Sequence, residues 1–311
     1  MNQWILLFQH PTSIALVDDD TTYLSKFPLS ISSLGPVKTF ASPWDASEYI
    51  RKQFLGALPT SLDDIIGQIG NAERFQRCAI VLSDYEMGSM NGIELCRRLG
   101  DTPARRILLT GKLDEREAVA AFNNGVIDRY VRKDDPRQLD LIKQYIVELK
   151  QEFFSRIAGQ LDEALILEDV RYLFDPALRV YFEDNCRANG IVEHFLSADL
   201  PGFLLLDADG DVLAFKVLTD RQMAEQLEIA EYRGAPGELL ALLRNRLALP
   251  HFPSPDGFYQ AEFVETWKQW LFTARPVSGK RSYYTAVFSG SPARALLPAA
   301  DIYSYNQYLE S

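Results

Sequence analysis

Between residues 13 and 134, short apolar runs alternate with amphipathic segments, and this alternation constrains the fold more than any other feature of the chain. "SIALV" (13–17), "PVKTF" (36–40), "CAIVLS" (78–83), "RILLT" (106–110) and "DRYVR" (128–132) have the length and apolar centres of strands. Between them lie helical patterns. "TTYLSKFPLSISSL" reads as a helix interrupted near Pro28, and "PWDASEYIRKQF" (43–54) as one opened by Pro43. "GIELCRRL" and "LDEREAVAAFNNG", the latter stopped by Gly125, complete the set, and Pro136 starts a long final helix. Strands alternating with helices predict an α/β fold whose five-stranded parallel sheet is covered on both faces. In such sheets the chemistry gathers beyond the carboxyl ends of the strands.

The residues at those ends carry a consistent chemistry. The first strand runs into Asp18, Asp19 and Asp20, the third into Asp84, the fourth ends in Thr110, and Lys133 follows the fifth. A carboxylate ending a buried strand is costly to desolvate. Clustered carboxylates repel unless a hard cation lies between them, and Mg²⁺ with oxygen ligands is the natural occupant. A cation beside an ammonium and a hydroxyl suits phosphoryl transfer, with an aspartate as nucleophile forming an acyl phosphate. Asp84 is therefore the candidate phosphoacceptor, whereas Asp20 reads as the N-cap of the first helix.

The ordered set formed by the acidic pair after "IALV", then "SDYEMGSMNG", "ILLTG" and "DRYVRK", resembles the receiver domain of two-component response regulators. The resemblance covers about residues 13–150 and implies a flavodoxin-like fold. It implies Asp19 as direct magnesium ligand, Asp18 acting through water, and Asp84 as phosphoacceptor and ligand, with the carbonyl of Glu86 as a further ligand. Thr110 and Lys133 would bind the phosphoryl group, and Tyr130 matches the family's switch aromatic. Gly88 departs from the family, which usually has proline there. Lys133 is followed by Asp134, not by proline, so a trans bond is expected. The 64 residues between Asp19 and Asp84 exceed the family's usual spacing, the surplus falling at about 56–77.

The remaining organisation is less marked. Residues 1–12 form an N-terminal extension, 136–160 the last receiver helix and a linker, and 165–311 a smaller α+β domain. In the linker helix, Ile142, Ile146, Leu149, Phe153 and Ile157 make one apolar stripe. It extends beyond the turns needed to cover a sheet edge, and its distal half is expected to pack on the second domain or on a partner chain. In the second domain "DPALRVYFEDNCRANG" (175–190) reads as a helix, "IVEHFL" as a strand, and "GFLLLDADGDVLAFKV" as a hairpin turned by "DADGD". Thr219 and Gln222 form a capping box for the following helix, and Pro236 starts "GELLALLRNRLAL". Another hairpin, "WLFTARPVSGKRSYYTAVFS", follows. The order resembles a PAS-like sensor domain by topology alone. "EALILED" (163–169) spells a phosphodiesterase signature but reads as coincidence on the linker helix.

Charge and composition limit the functions. Residues 1–159 carry 19 Lys+Arg against 21 Asp+Glu, whereas residues 160–311 carry 13 against 22. The acidic second half argues against nucleic-acid binding, since phosphate backbones are bound by cations. Cys78, Cys96 and Cys186 lack pair spacing, so neither disulfides nor zinc are indicated. The apolar start "WILLF" lacks a basic n-region and no apolar run reaches membrane-spanning length, so a cytoplasmic protein is expected. The expected function is a response regulator of a phosphorelay, phosphorylated on Asp84 with Mg²⁺ by a histidine kinase or phosphotransfer protein, with a homodimer as a further assembly. It is expected not to be an enzyme, apart from self-catalysed phosphotransfer to and dephosphorylation of Asp84. The alternative is a receiver-gated nuclease-like or nucleotide-processing centre using Asp207, Glu231 and Lys216.

Overall fold

The computed structural model describes residues 4–56, 58–111, 115–159, 168–297 and 301–311. The chain divides into two compact units, one built from His10–Thr60 and Asn71–Leu161, the other from Gln3–Gln9, Ser61–Gly70 and Asp162–Ser311. The first strand, β1 (Phe8–Gln9), thus belongs to the second unit, and the first unit opens with β2 (Ser13–Val17), α1 (Thr21–Ile31), β3 (Val37–Phe40) and α2 (Pro43–Lys52). The short helix α3 (Leu62–Ile66) lies in the second unit. The first unit resumes with α4 (Glu73–Gln76), β4 (Cys78–Asp84), α5 (Gly92–Arg98), β5 (Arg105–Thr110), α6 (Glu115–Asn123), β6 (Arg129–Arg132) and α7 (Gln138–Ala158).

The five strands pair in parallel in the order β3-β2-β4-β5-β6. Every residue of β2 and of β4 is buried, as expected of central strands covered by helices on both faces. Helix starts follow the local sequence. Asp20 caps α1 by accepting from Thr22 and Tyr23, Ser42 caps α2 ahead of Pro43, and Asn91 caps α5 by accepting from Glu94. Pro28 does not interrupt α1, which continues to Ile31 before a 3₁₀ turn.

Helix α7 corrects the expectation for its distal half. It is continuous, but Phe153 and Phe154 are buried within the first unit. The ring of Phe153 meets Phe54 at 6.4 Å, and that of Phe154 meets His10 at 5.0 Å. Phe75 covers the other side of His10 at 6.5 Å. Lys150 Nζ donates to the carbonyls of Thr12 and Leu34 at 3.1 and 2.6 Å, and burial pulls its pKa down to about 8. Arg105 pairs with Glu152 of α7 and with Asp128, at 3.2 Å, which ties the helix to the amino-terminal ends of β5 and β6.

The second unit is an α+β structure. After α8 (Pro176–Ala188) come β7 (Ile191–Leu196), β8 (Gly202–Asp207), β9 (Val212–Thr219), α9 (Asp220–Tyr232), α10 (Gly237–Arg244), β10 (Ala248–Pro250), β11 (Leu271–Thr273), β12 (Arg275–Ser278) and β13 (Ser282–Ser289). A six-stranded antiparallel sheet has the order β1-β7-β8-β9-β13-β12, and β10 pairs with β11 apart from it. The β8–β9 hairpin turns at "DADGD", where Asp207 accepts from the amides of Asp209 and Asp211 and Gly210 has φ 85°. The capping box of Thr219 and Gln222 is formed. Helix α10 stops at Arg244, before the end of its apolar pattern, because Ala248–Pro250 pairs with β11. Leu271–Thr273 is therefore not part of the β12–β13 hairpin.

The N-terminal extension and the surplus before β4 were both expected outside the second domain. Instead, Phe8 pairs with Phe195 of β7, and the Ile5 amide donates to the carbonyl of Leu173. Leu62, Ile65 and Ile66 of α3 are buried, and the Tyr303 amide donates to the carbonyl of Ile69. Residues 163–167 of "EALILED" lie outside the described residues. No described helix is long and apolar enough to cross a membrane.

Candidate phosphoryl-transfer site

Strand register assembles the site. Val17 lies beside Ser83, so the next residues, Asp18 and Asp84, emerge together at the carboxyl edge. Asp84 lies beside Leu109, and Thr110 beside Arg132, which sets Thr110 and Lys133 one step further along the same edge. The Lys133 amide donates to the Thr110 carbonyl at 2.9 Å. The peptide bond to Asp134 is trans, as no described bond is cis.

The charged groups converge. Lys133 Nζ lies 2.9 Å from Asp84 Oδ1 and 3.1 Å from Asp18 Oδ2. One ligand oxygen from each of Asp18, Asp19 and Asp84 lies within 4.8 Å of the others. Asp18 and Asp84 are buried, 1% and 6% exposed, while Asp19 is exposed. This all-oxygen set, with one face open to water, fits a divalent cation of the Mg²⁺ type. Burial raises the pKa of Asp84, a cost that the bond and charge of Lys133 reduce without cancelling. Burial also opposes the charge on Lys133, but its bonds to Asp84 and Asp18 prevail and its pKa is raised.

The other expected residues are placed as follows. Thr110 is fully buried, its hydroxyl donating to the Gly111 carbonyl at 2.7 Å. Glu86 is exposed in the loop that follows Asp84. Tyr130 is half-buried among Ile93, Leu108 and Ala118, with its ring edge on Phe122 at 6.5 Å. Met87 and Met90, which follow the acceptor, are core residues.

Three contributions were not anticipated. The Gly88 amide donates to Asp19 Oδ2 at 3.2 Å, a bond that the family's usual proline could not make. The ring of Tyr23 faces Lys133 at 5.3 Å from its Nζ, a cation–π contact on the open side of the ammonium. Gly92 is required by close packing, since a Cβ there would overlap the Asp84 carbonyl oxygen and lie 2.7 Å from Leu108 Cδ1 and 2.9 Å from Ser83 Oγ. In the sequence Gly92 shows only as the last residue of "SDYEMGSMNG", just after the Asn91 cap. Gly92→Ala should destabilise the protein by about 1–3 kcal/mol through overpacking. It should also slow modification of Asp84, because the atom displaced is that residue's own carbonyl. Thermal melts and acceptor labelling measure both, and a wild-type melt would refute the packing argument.

The Asp207, Glu231 and Lys216 centre is not formed. Asp207 is held in its hairpin turn, Glu231 pairs with Arg244, and Lys216 donates to the Pro250 carbonyl.

The fold finds a match in a solved structure. LqsR, a response regulator of Legionella pneumophila, superposes with a TM-score of 0.85 over 99% of this chain and 96% of its own, at 32% identity. This chain belongs to the response regulators. A stretch of 80 residues is 38% identical to the cyclic di-GMP phosphodiesterase response regulator RpfG of Xanthomonas campestris. That match covers 24% of this chain and about a fifth, 21%, of the length of RpfG. An adenylate cyclase structure from Rhodopirellula baltica aligns over 51% of this chain and 99% of its own, with a TM-score of 0.39 at 24% identity, too slight a likeness to carry an argument. No family model matches the chain.

Proposed function

We propose that this response regulator receives a phosphoryl group on Asp84 from a histidine kinase or phosphotransfer protein, with Mg²⁺ held by Asp18, Asp19 and Asp84 and by the carbonyl of Glu86. The observation that carries this reading is the position of Lys133, bonded to both Asp18 and Asp84. When bound, the cation neutralises negative charge on the incoming phosphoryl oxygens.

The chain's own residues account for the remaining chemistry. The Asp84 carboxylate attacks phosphorus, forming a new oxygen–phosphorus bond while the donor's bond to phosphorus breaks and its electron pair leaves with the donor. Lys133, held at 2.9 Å from Asp84, is poised to turn its ammonium to a phosphoryl oxygen. The Thr110 hydroxyl must leave the Gly111 carbonyl to donate to another such oxygen. That rotation frees space beside Thr110, and Tyr130 on the neighbouring strand is the aromatic placed to respond. The signal then passes to an acidic, non-DNA-binding output unit in the cytoplasm.

Acetyl phosphate with Mg²⁺ tests the reading. Intact mass should rise by one phosphoryl group, mapped to Asp84, and the gain should vanish with a chelator. A stable mass, or a label on another residue, would overturn it.

A further inference from the structure

A second site lies wholly within the second unit, in a cleft of ≈ 570 Å³. That volume is in the range of small-molecule pockets. Strand β9, otherwise apolar on this face through Ala214 and Leu218, places Lys216 in the cleft lining. Lys216 is 4% exposed and forms a single hydrogen bond, from Nζ to the Pro250 carbonyl at 2.6 Å. An ammonium has three donors, and a buried one is ordinarily paired with a carboxylate. Lys216 forms no ion pair with any described residue.

The neighbours sharpen this deficit. His251 lines the same cleft, with burial and then the charge of Lys216 pulling its pKa down to about 4. Burial alone pulls the Lys216 amine down to about 7. Two basic groups therefore line one cavity, and among the described residues no carboxylate pairs with Lys216. Phe252, Leu218 and Phe258 supply apolar wall. On the exposed lip Asp256 is taken by Arg233 at 2.7 Å, whereas Asp199 and Glu225 form no ion pair with any described residue. These two carboxylates disfavour a ligand with a second negative charge at its outer end.

We infer that this cleft is a binding site for a small organic monocarboxylate, its carboxylate seated on Lys216 beside His251 and its carbon skeleton against Phe252 and Leu218. The missing counter-charge of a buried ammonium is then supplied by the ligand, which makes the second unit a small-molecule receptor. The inference does not depend on phosphorylation of Asp84.

Phenylacetate, phenyl phosphate and benzyl alcohol, tested on the full chain by thermal melting, separate the outcomes. Phenylacetate at about ten times its dissociation constant should raise the Tm by about 2–4 °C, and benzyl alcohol should not. Lys216→Met should abolish the shift, while Asp84→Asn should retain it, which separates this site from the phosphoryl-transfer site. No shift with phenylacetate, an equal shift with benzyl alcohol, a shift with phenyl phosphate alone, or a shift surviving Lys216→Met overturns the inference. Should Lys216→Met fail to fold, the wild-type pH profile decides. Affinity for phenylacetate should fall about tenfold per pH unit once the amine discharges, between pH 7 and 9. The other charged groups facing the cleft are Asp199, Glu225 and Asp256, and the bond to Arg233 holds the Asp256 carboxyl well below the usual carboxylate range. His251 is already neutral there. A flat profile overturns the inference.

Discussion

Asp84→Asn is expected to abolish Mg²⁺-dependent phosphoryl incorporation completely while raising the stability of the metal-free protein. The first effect follows because an amide offers no carboxylate oxygen to attack phosphorus. The second follows from the direction of the Asp84 pKa, which burial raises above the ordinary carboxyl value. A carboxyl group whose pKa is higher folded than unfolded favours the fold while protonated. That contribution is full below about pH 4, the unfolded value, and is lost as pH rises through the folded pKa. At neutral pH the wild type has lost it, and asparagine, which never ionises, has not. Relief of that cost should raise the Tm of the metal-free protein. The two proteins should converge in stability as the pH falls towards 4. Lys133 keeps Asp18 as a partner in the variant, at 3.1 Å, so its charge is not orphaned. A variant that melts below the wild type in chelator at pH 7 would mean that the Lys133–Asp84 bond outweighs the cost of burial.

The sheet, its order of elements and the residues at its carboxyl edge were legible because each left a local signal. An apolar run followed by Asp marks Asp18 and Asp84 as strand-end residues, and the parallel register then brings them together without further information. The Asp20 cap and the Thr219–Gln222 capping box were likewise local, each spanning two or three residues. What escaped the sequence was non-local. Residues 4–9 and 61–70 are apolar enough to need a partner, but nothing in them says that the partner lies more than 100 residues away. Phe8 meets Phe195 through antiparallel pairing, which carries no sequence mark of its own. Gly88 read as a departure from a family pattern, yet its amide bonds Asp19, just beyond the end of β2 and 69 residues away in sequence. Lys216 read as one residue of a catalytic set, and burial rather than any neighbour in sequence makes it distinctive.

Phe153→Ala should destabilise the first unit by about 3–5 kcal/mol, the cost of emptying a filled aromatic site. The expected result reverses the reading in which the outer half of α7 packs elsewhere, since that arrangement would leave the sheet untouched. Phe153 is fully buried, and its ring contacts Phe54 and Phe154 inside the first unit. The site lies at the far end of α7 from Lys133, so any effect on acceptor chemistry must pass through folding stability. Below the melting temperature the variant should therefore still accept phosphate on Asp84, at a rate close to wild type. Gln151→Pro is expected to be worse, because proline removes an interior helix bond and clashes with the preceding turn, at about 3 kcal/mol, and it also misdirects both phenylalanines. Phe54→Ala supplies the internal check. If Phe54 and Phe153 stabilise each other, the double variant loses less than the two single losses combined, by 0.5 kcal/mol or more. Strict additivity, or a Phe153→Ala melt within 1 °C of wild type, would place the outer turns of α7 outside this core. In that event the apolar stripe from Ile142 to Ile157 would have to be covered by something other than the sheet and Phe54, and the helix would again be free to carry a signal by repacking.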